Sequence, residues 1–235
     1  MKTPHYGTIA LVGGDEFGPL CTFDEEILTQ TGARRVSILP TAAAYERPDQ
    51  AVANGTLYLE RLGVEVDVIE IYNRTDALNE ELASKIGGAE VLYCIGGSPL
   101  HLRSVLFNTP TLGALADAWS KGTTLIASSA SAMVLGDPMI DPRGGALTIG
   151  LGLIPHLAIL PHADQRSLSI RDRTIHLVHA PTVMVEIDAQ TALIYDRASG
   201  IRVRGPGGAT VYQDGLQADL SLVGDLLDRR TLQVG

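Results

Sequence analysis

Residues 1–135 predict an α/β fold built on a mostly parallel, doubly wound sheet, and three observations predict it. Short apolar, β-branched runs alternate with segments whose apolar residues recur at helical spacing, which is the pattern of strands joined by crossover helices. The strand runs are apolar almost throughout, as they must be when helices cover both faces. The helical segments stop at glycine, the residue that most easily takes the left-handed conformation closing a helix.

The elements follow in order. "TIALVGG" (8–14), "RVSILP" (35–40), "VEVDVIEI" (64–71), "EVLYCIGG" (90–97) and "TTLIASS" (123–129) read as strands. "CTFDEEILTQTG", "ERPDQAVANGTLYLERLG" and "TLGALADAWSKG" read as helices between them. From about residue 156 the pattern changes. "VMVEIDAQTALIYD", "GIRVRGPGGATVYQDG" and "ADLSLV" read as strands joined by short turns, an antiparallel C-terminal extension on the same sheet or beside it. With no linker, repeat or low-complexity stretch between the two parts, residues 1–235 are expected to form a single α/β domain.

Composition narrows the function classes. A net charge of −9 and scattered basic residues give no footprint for a phosphate backbone, so nucleic acid is not an expected partner. No apolar run is long enough to cross a bilayer and the N-terminus carries no signal pattern, so neither a membrane nor export is expected and the default location is the cytoplasm. Cys94 lies inside an apolar strand, where a small buried hydrophobe is expected, and a disulfide with Cys21 is not. No H-E-x-x-H, H-x-x-E-H or paired-cysteine motif occurs, so neither a metal nor another cofactor is expected.

Ligands of open α/β sheets gather at the carboxyl ends of the strands. Those ends carry "GGDEF" (13–17), "PTAAAYE" (40–46), "GGSPLHLR" (96–103) and "SSASAM" (128–133), mostly small residues over which a ligand can approach the backbone. The last has the setting of a nucleophile elbow: strand, tight turn, helix, with small residues two before and two after the serine. Centring on Ser129 puts Ala127 and Ser131 in those positions. Centring on Ser128 puts the β-branched Ile126 in the first, so Ser129 is the better nucleophile. A helix packed closely on a strand end would need the same small residues.

The stretch from "IGGSPLHLR" through "LIASSASAMVLGDPMIDPRGG" to "GLGLIP", together with "RVSILPTAAAYE", "VEIDAQTALIYD" and "RGPGGATVYQDG", resembles the cyanophycinase and dipeptidase E family of serine peptidases. The fold of that family is flavodoxin-like and similar to class I glutamine amidotransferases. The resemblance runs from about residue 7 to 213 and implies a serine hydrolase acting on a small peptide with an acidic, Asp-containing residue beside the cleaved bond. A homodimer is compatible with it.

A serine hydroxyl attacks at neutral pH only when a base takes its proton. Of six histidines, His162 lies at the end of an apolar strand and matches the catalytic histidine of the family in position. His156 precedes that strand and should point to the opposite sheet edge. His101 follows the Gly-Gly loop, where lining the pocket is one reading and a solvent-facing helix side the expected one; His176 and His179 are expected on a helix surface or end, and His5 in a frayed terminus. For the acid that orients the imidazole, the dipeptidase E branch points to Asp141, with Asp137 a competitor. Glu186 and Asp188 are further candidates, since "VEIDAQTAL" is similar to a family strand. The elbow places the Ala130 N–H for an oxyanion hole, and Gly97 of the Gly-Gly loop is the second donor implied. Ser98, Arg103 and Arg166 are the expected substrate contacts, the arginines because their planar fork pairs with carboxylate; Arg171 and Arg173 of "RDR" are weaker candidates for the same pairing and read rather as solvated helix charges.

Three positions depart from the family pattern: Ser131 where Gly usually follows "SA", Pro99 where Gln is frequent, and Ala189 where "GIDE" ends in Glu. They motivate an alternative, a catalytically impaired or non-catalytic relative that binds a ligand or partner on the same fold.

Overall fold

The computed structural model describes residues 6–232, so His5 lies outside the described residues. Five strands form the parallel part of the main sheet: β1 (Ile9–Val12), β2 (Arg35–Leu39), β3 (Glu65–Val68), β4 (Val91–Cys94) and β5 (Thr124–Ser128). The connecting helices are α1 (Phe23–Thr31), α2 (Pro48–Arg61), α3 (Arg74–Ala77), α4 (Glu80–Ile86), α5 (Pro99–Leu106) and α6 (Pro110–Ser120); α7 (Ala130–Leu135) follows β5. Residues 136–155 carry four two-residue strands, β6 (Gly136–Asp137), β7 (Met139–Ile140), β8 (Leu147–Thr148) and β9 (Ile154–Pro155), with β6 paired to β9 and β7 to β8. Then come β10 (Leu157–Pro161), α8 (Leu168–Leu177), β11 (Val183–Ile187), β12 (Ala192–Asp196), β13 (Gly200–Arg204), β14 (Ala209–Gln213), β15 (Leu216–Ala218) and α9 (Ser221–Leu232).

The main sheet runs β13-β12-β1-β5-β4-β2-β3, with β12 and β13 antiparallel to their neighbours; a second sheet runs β10-β11-β14-β15. This is the doubly wound, flavodoxin-like α/β architecture expected. Strand alternation explains its two cores. On β1, Ile9 and Leu11 face one buried cluster, which also holds Trp119, Leu125 and Ala127, while Ala10 and Val12 face the other, with Phe23, Tyr93 and Ile126. Both faces are therefore apolar, as the unbroken runs required. The first cluster continues through Met133 of α7 to Val185 and Ile187 of β11, joining the two sheets.

Three C-terminal runs differ from the expectation, one of them 200–213, which divides into β13 of the main sheet and β14 of the second. The run 183–196 is two strands, not one: its first half lies in the second sheet and its second half in the main sheet. The break is a turn in which Gln190 takes φ 52° and donates its N–H to Gly14 O at 2.8 Å, while Gly13 N donates to Thr191 O. The run 218–223 does not form a strand. The Asp219 carboxylate accepts the Ser221 N–H at 2.8 Å and starts α9, whose Val223 and Leu227, one turn apart, are both fully buried.

Cys21 and Cys94 are both free and buried, and burial pushes each thiol up to about 12, so neither presents a reactive thiolate at neutral pH. No helix among the described residues is long and apolar enough to cross a membrane.

Asp24 of α1 is fully buried in the second cluster, and burial pushes its carboxyl up to about 7, tempered by the phenols of Tyr58 and Tyr93. Because the folded chain holds this proton more tightly than the unfolded chain, Asp24 contributes its full stability below about pH 4 and loses it as the pH rises toward 7. Asp24→Asn should therefore gain about 1–3 kcal/mol on wild type between pH 5 and pH 8 in urea titrations, whereas a constant difference would contradict this account.

Candidate active site

β5 ends at Ser128, and the chain reverses into α7 through a single residue, Ser129, at φ 50° and ψ −114°. A non-glycine residue in that region costs roughly 1–3 kcal/mol and persists only where its surroundings hold it. Here they do: the Ser129 N–H donates to Val12 O at 2.9 Å, and the flanking Ala127 and Ser131 are both buried. Ser131, one of the departures, does not obstruct the turn. Its hydroxyl donates to Ile95 O at 2.7 Å and ties the first turn of α7 to the end of β4.

The second sheet delivers His162. It follows β10 immediately, takes the left-handed conformation at φ 54° and donates its N–H to Gly13 O at 2.7 Å. Its Nε2 stands 2.9 Å from Ser129 Oγ. Gly14, at φ +110°, allows this approach: a Cβ there would lie 2.1 Å from the imidazole Cε1 and Nε2. Serine and imidazole are thus held as a donor–acceptor pair at the carboxyl edge of the main sheet, where a proton could pass from oxygen to nitrogen.

Around them the Gly-Gly loop closes the site. Gly97 has φ +144°, and a Cβ there would lie 2.2 Å from Ala42 O. Among the described residues, neither the Gly97 nor the Ala130 N–H donates to a protein backbone acceptor outside regular structure. Gly96 N instead donates to Glu16 Oε1 at 2.6 Å, and Glu16 Oε2 accepts from Ser128 Oγ at 2.7 Å, so one carboxylate staples the ends of β4 and β5 together. Ser98 caps α5, its Oγ accepting from His101 N at 3.3 Å, with Pro99 in the first helical position, where a missing N–H costs nothing.

None of the expected acids meets the imidazole. Asp141 is held in a fork by Arg143, with oxygens 3.0 Å from Nε and 2.6 Å from Nη2, and this arginine pulls its carboxyl down to about 2. Asp137 accepts from Gly150 N, Asp188 from Gly208 N, and the buried Glu186 pairs with Arg171 at 2.9 and 2.5 Å. Arg171 is therefore a structural partner, not the solvated charge expected. Ala189 offers only its N–H, given to Asp164 at 2.9 Å. The carboxylate nearest the imidazole belongs to Asp15, whose Oδ1 lies 4.0 Å from His162 Nδ1. The sequence placed "GGDEF" on the rim without assigning Asp15 a role; its position directly after β1, beside the elbow strand, was the available signal.

The remaining residues sort by position. Arg166 lies at the end of the turn that begins with His162, and Arg103 of α5 stacks its guanidinium over Phe107 at 4.6 Å. His101 is not simply solvent-facing: its Nε2 lies 2.9 Å from Tyr72 O and its ring meets Tyr45 edge-on. His156 sits at the opposite end of β10, and His176 and His179 are exposed. A cleft of about 510 Å³ opens beside Asp15 and Glu16, with Asn54, Tyr58 and Arg61 on its wall. A larger one of about 880 Å³, lined by Tyr6, Gly122 and Thr124, lies at the amino ends of β1 and β5, away from Ser129. Among the described residues no cluster of His, Cys, Asp and Glu could hold a metal ion.

A doubly wound sheet that sets a serine hydroxyl against an imidazole at its carboxyl edge has the arrangement of serine-type hydrolases. The chain belongs to peptidase family S51, whose model matches residues 9–202, and it is a serine-type peptidase of the cyanophycinase and peptidase E group. It is 29% identical over 227 residues to a cyanophycinase of Synechococcus elongatus, covering 88% of this chain and 68% of that one. It is 26% identical over 189 residues to the cyanophycinase of Trichormus variabilis, covering 75% and 62%. Among solved structures it is similar to a peptidase from an acI-B1 actinobacterium, with a TM-score of 0.80 and 26% identity over 93% of this chain and 96% of that one. A candidate peptidase E from Listeria monocytogenes EGD-e, at 18% identity, 86% and 100% coverage and a TM-score of 0.65, shares the fold.

Gly14→Ala should break the pairing from the other side, by driving a methyl into the imidazole. The expected outcome is a loss of about 1–3 kcal/mol of stability and a Ser129–His162 separation beyond hydrogen-bond reach in a crystal structure; an unchanged distance would refute the packing argument.

Proposed function

We propose that the chain hydrolyses small peptides with Ser129 as nucleophile and His162 as general base. The observation that carries this is the 2.9 Å contact between Ser129 Oγ and His162 Nε2, made by a serine held in strained backbone geometry. Ser129 Oγ attacks the scissile carbonyl while Nε2 takes its proton. The oxyanion forms against the N–H groups of Ala130 and Gly97, and the imidazolium then protonates the departing amine. Water, activated by the same imidazole, releases the acyl group and restores the serine.

For the substrate, an acidic residue such as aspartate beside the scissile bond is the best fit, with Arg103 and Arg166 supplying the pairing cations and Ser98 a polar contact at the loop. The cyanophycinase relatives support a peptide substrate in general. The alternative, an impaired relative that only binds, draws on one observation: His162 Nδ1 is buried without a hydrogen-bond partner.

A fluorophosphonate should label Ser129 and no other serine, and Ser129→Ala should abolish labelling. Against a panel of Asp-containing dipeptides, Ser129→Ala and His162→Ala should each lower kcat by about 10⁴–10⁶. Arg103→Ala and Arg166→Ala should act chiefly on KM. A folded wild-type chain that neither labels nor cleaves would favour the binding alternative.

A further inference from the structure

We infer that Asp15 is the positioning residue of this site, the carboxylate that orients His162 and stabilises its protonated form. The inference rests on the hydrolase reading above and names the member of the constellation that none of the four acids expected from the sequence supplies.

The need comes from His162 itself. Its Nδ1 is buried and without a hydrogen-bond partner, and a buried polar atom left in that state destabilises the fold. The cost rises when the ring gains a proton, because the new positive charge then has no counterion beside it. Asp141, Asp137, Asp188 and Glu186 are each spent on a guanidinium or a backbone N–H. Asp164, on the turn that His162 opens, is spent on Ala189 N.

Asp15 is the carboxylate left within reach. Its Oδ1 is 4.0 Å from Nδ1, and its Oδ2 accepts from Gln165 Nε2 at 3.1 Å. Gln165 belongs to the same turn as His162, so the carboxylate is already tethered to the loop that carries its target. The backbone on either side is fixed as well: Gly13 O holds His162 N, Gly14 lies against the ring, and Asp15 sits at φ 51°, a region aspartate tolerates better than most residues. The Asp15 side chain is half exposed at 51%, which leaves it room for the roughly 1 Å approach that converts the contact into a hydrogen bond, and such bonds commonly tighten only when substrate binds. In that arrangement Nδ1–H donates to Oδ1, Nε2 is the free acceptor for the Ser129 proton, and Asp15 stays ionised throughout.

The test compares Asp15→Asn with Asp15→Ala. Asparagine keeps the shape and the tether but turns an NH₂ toward Nδ1, which favours the tautomer with its proton on Nε2, unable to accept from Ser129. A purely structural role makes Asn the milder change; the positioning role makes it no milder than Ala. Three readouts are taken on the full chain: the rate of Ser129 labelling by a fluorophosphonate, the ¹⁵N spectrum of histidine-labelled protein, which reports the His162 tautomer, and the melting temperature.

Both variants are expected to fold and to label at least about 10²-fold more slowly than wild type, short of the ~10⁴ seen for a buried triad aspartate because Asp15 is half exposed. Asp15→Asn should also shift the His162 ¹⁵N signature toward the Nε2–H form. Gln165→Ala, which removes only the tether, should slow labelling less. Wild-type labelling by Asp15→Asn overturns the assignment, and so does an Asn variant that labels markedly faster than Ala with an unshifted tautomer. No labelling of Ser129 in the wild-type chain removes the hydrolase reading and this inference with it, an outcome distinct from either of the others.

Discussion

The site depends on three consecutive carbonyls at the end of β1. Val12 O receives the N–H of Ser129, Gly13 O that of His162, and Gly14 O that of Gln190. The first comes from the neighbouring strand of the same sheet, the second from the end of a strand in another sheet, the third from the turn between the two sheets. One short stretch of backbone thereby sets Ser129 Oγ and His162 Nε2 2.9 Å apart without either side chain having to find the other. The arrangement also explains the glycines. The carbonyls can serve two sheets at once only if nothing projects between them, and a Cβ on Gly13 would lie 2.0 Å from Asp188 O, just as one on Gly14 would meet the imidazole.

Strain and satisfaction are balanced around this anchor. Ser129 is held off its preferred backbone region by hydrogen bonds on both sides of the turn, its own N–H to Val12 O and the Ser131 hydroxyl to Ile95 O. Glu16 adds a charged clasp between Ser128 and Gly96, so the ends of β4 and β5 cannot drift apart without leaving a carboxylate short of its donors.

The departures from the family pattern separate by what surrounds them. Ser131 and Pro99 are absorbed locally, the first by a carbonyl within reach, the second by the one helix position that needs no N–H. Ala189 is different, because a methyl cannot replace a carboxylate. Its position is occupied only by an N–H bound to Asp164, and the acid nearest the imidazole arrives from β1 instead. The terminal segment 218–223 and the fate of His101 belong to the same lesson. Asp219 and Tyr72 O decide them, and neither contact is visible in a short apolar run or in a lone histidine.

Local chemistry wrote much of this molecule into the sequence by itself. Continuous β-branched runs, glycine stops and small residues flanking Ser129 are short-range demands of backbone geometry, so the parallel sheet, the helices α1, α2 and α6 and the elbow were legible there, whereas the short α3 and α4, which lack such a pattern, were not. What only the tertiary structure decided is which acid, arginine or amide stands beside which partner. The run 183–196 divides between two sheets because β1 lends hydrogen bonds to its middle, and Asp15 nears His162 because two loops 147 residues apart close on the same carbonyls. Spacing along the chain carries no record of such contacts, since they are set by packing between elements whose distance in sequence is unrelated to their distance in space.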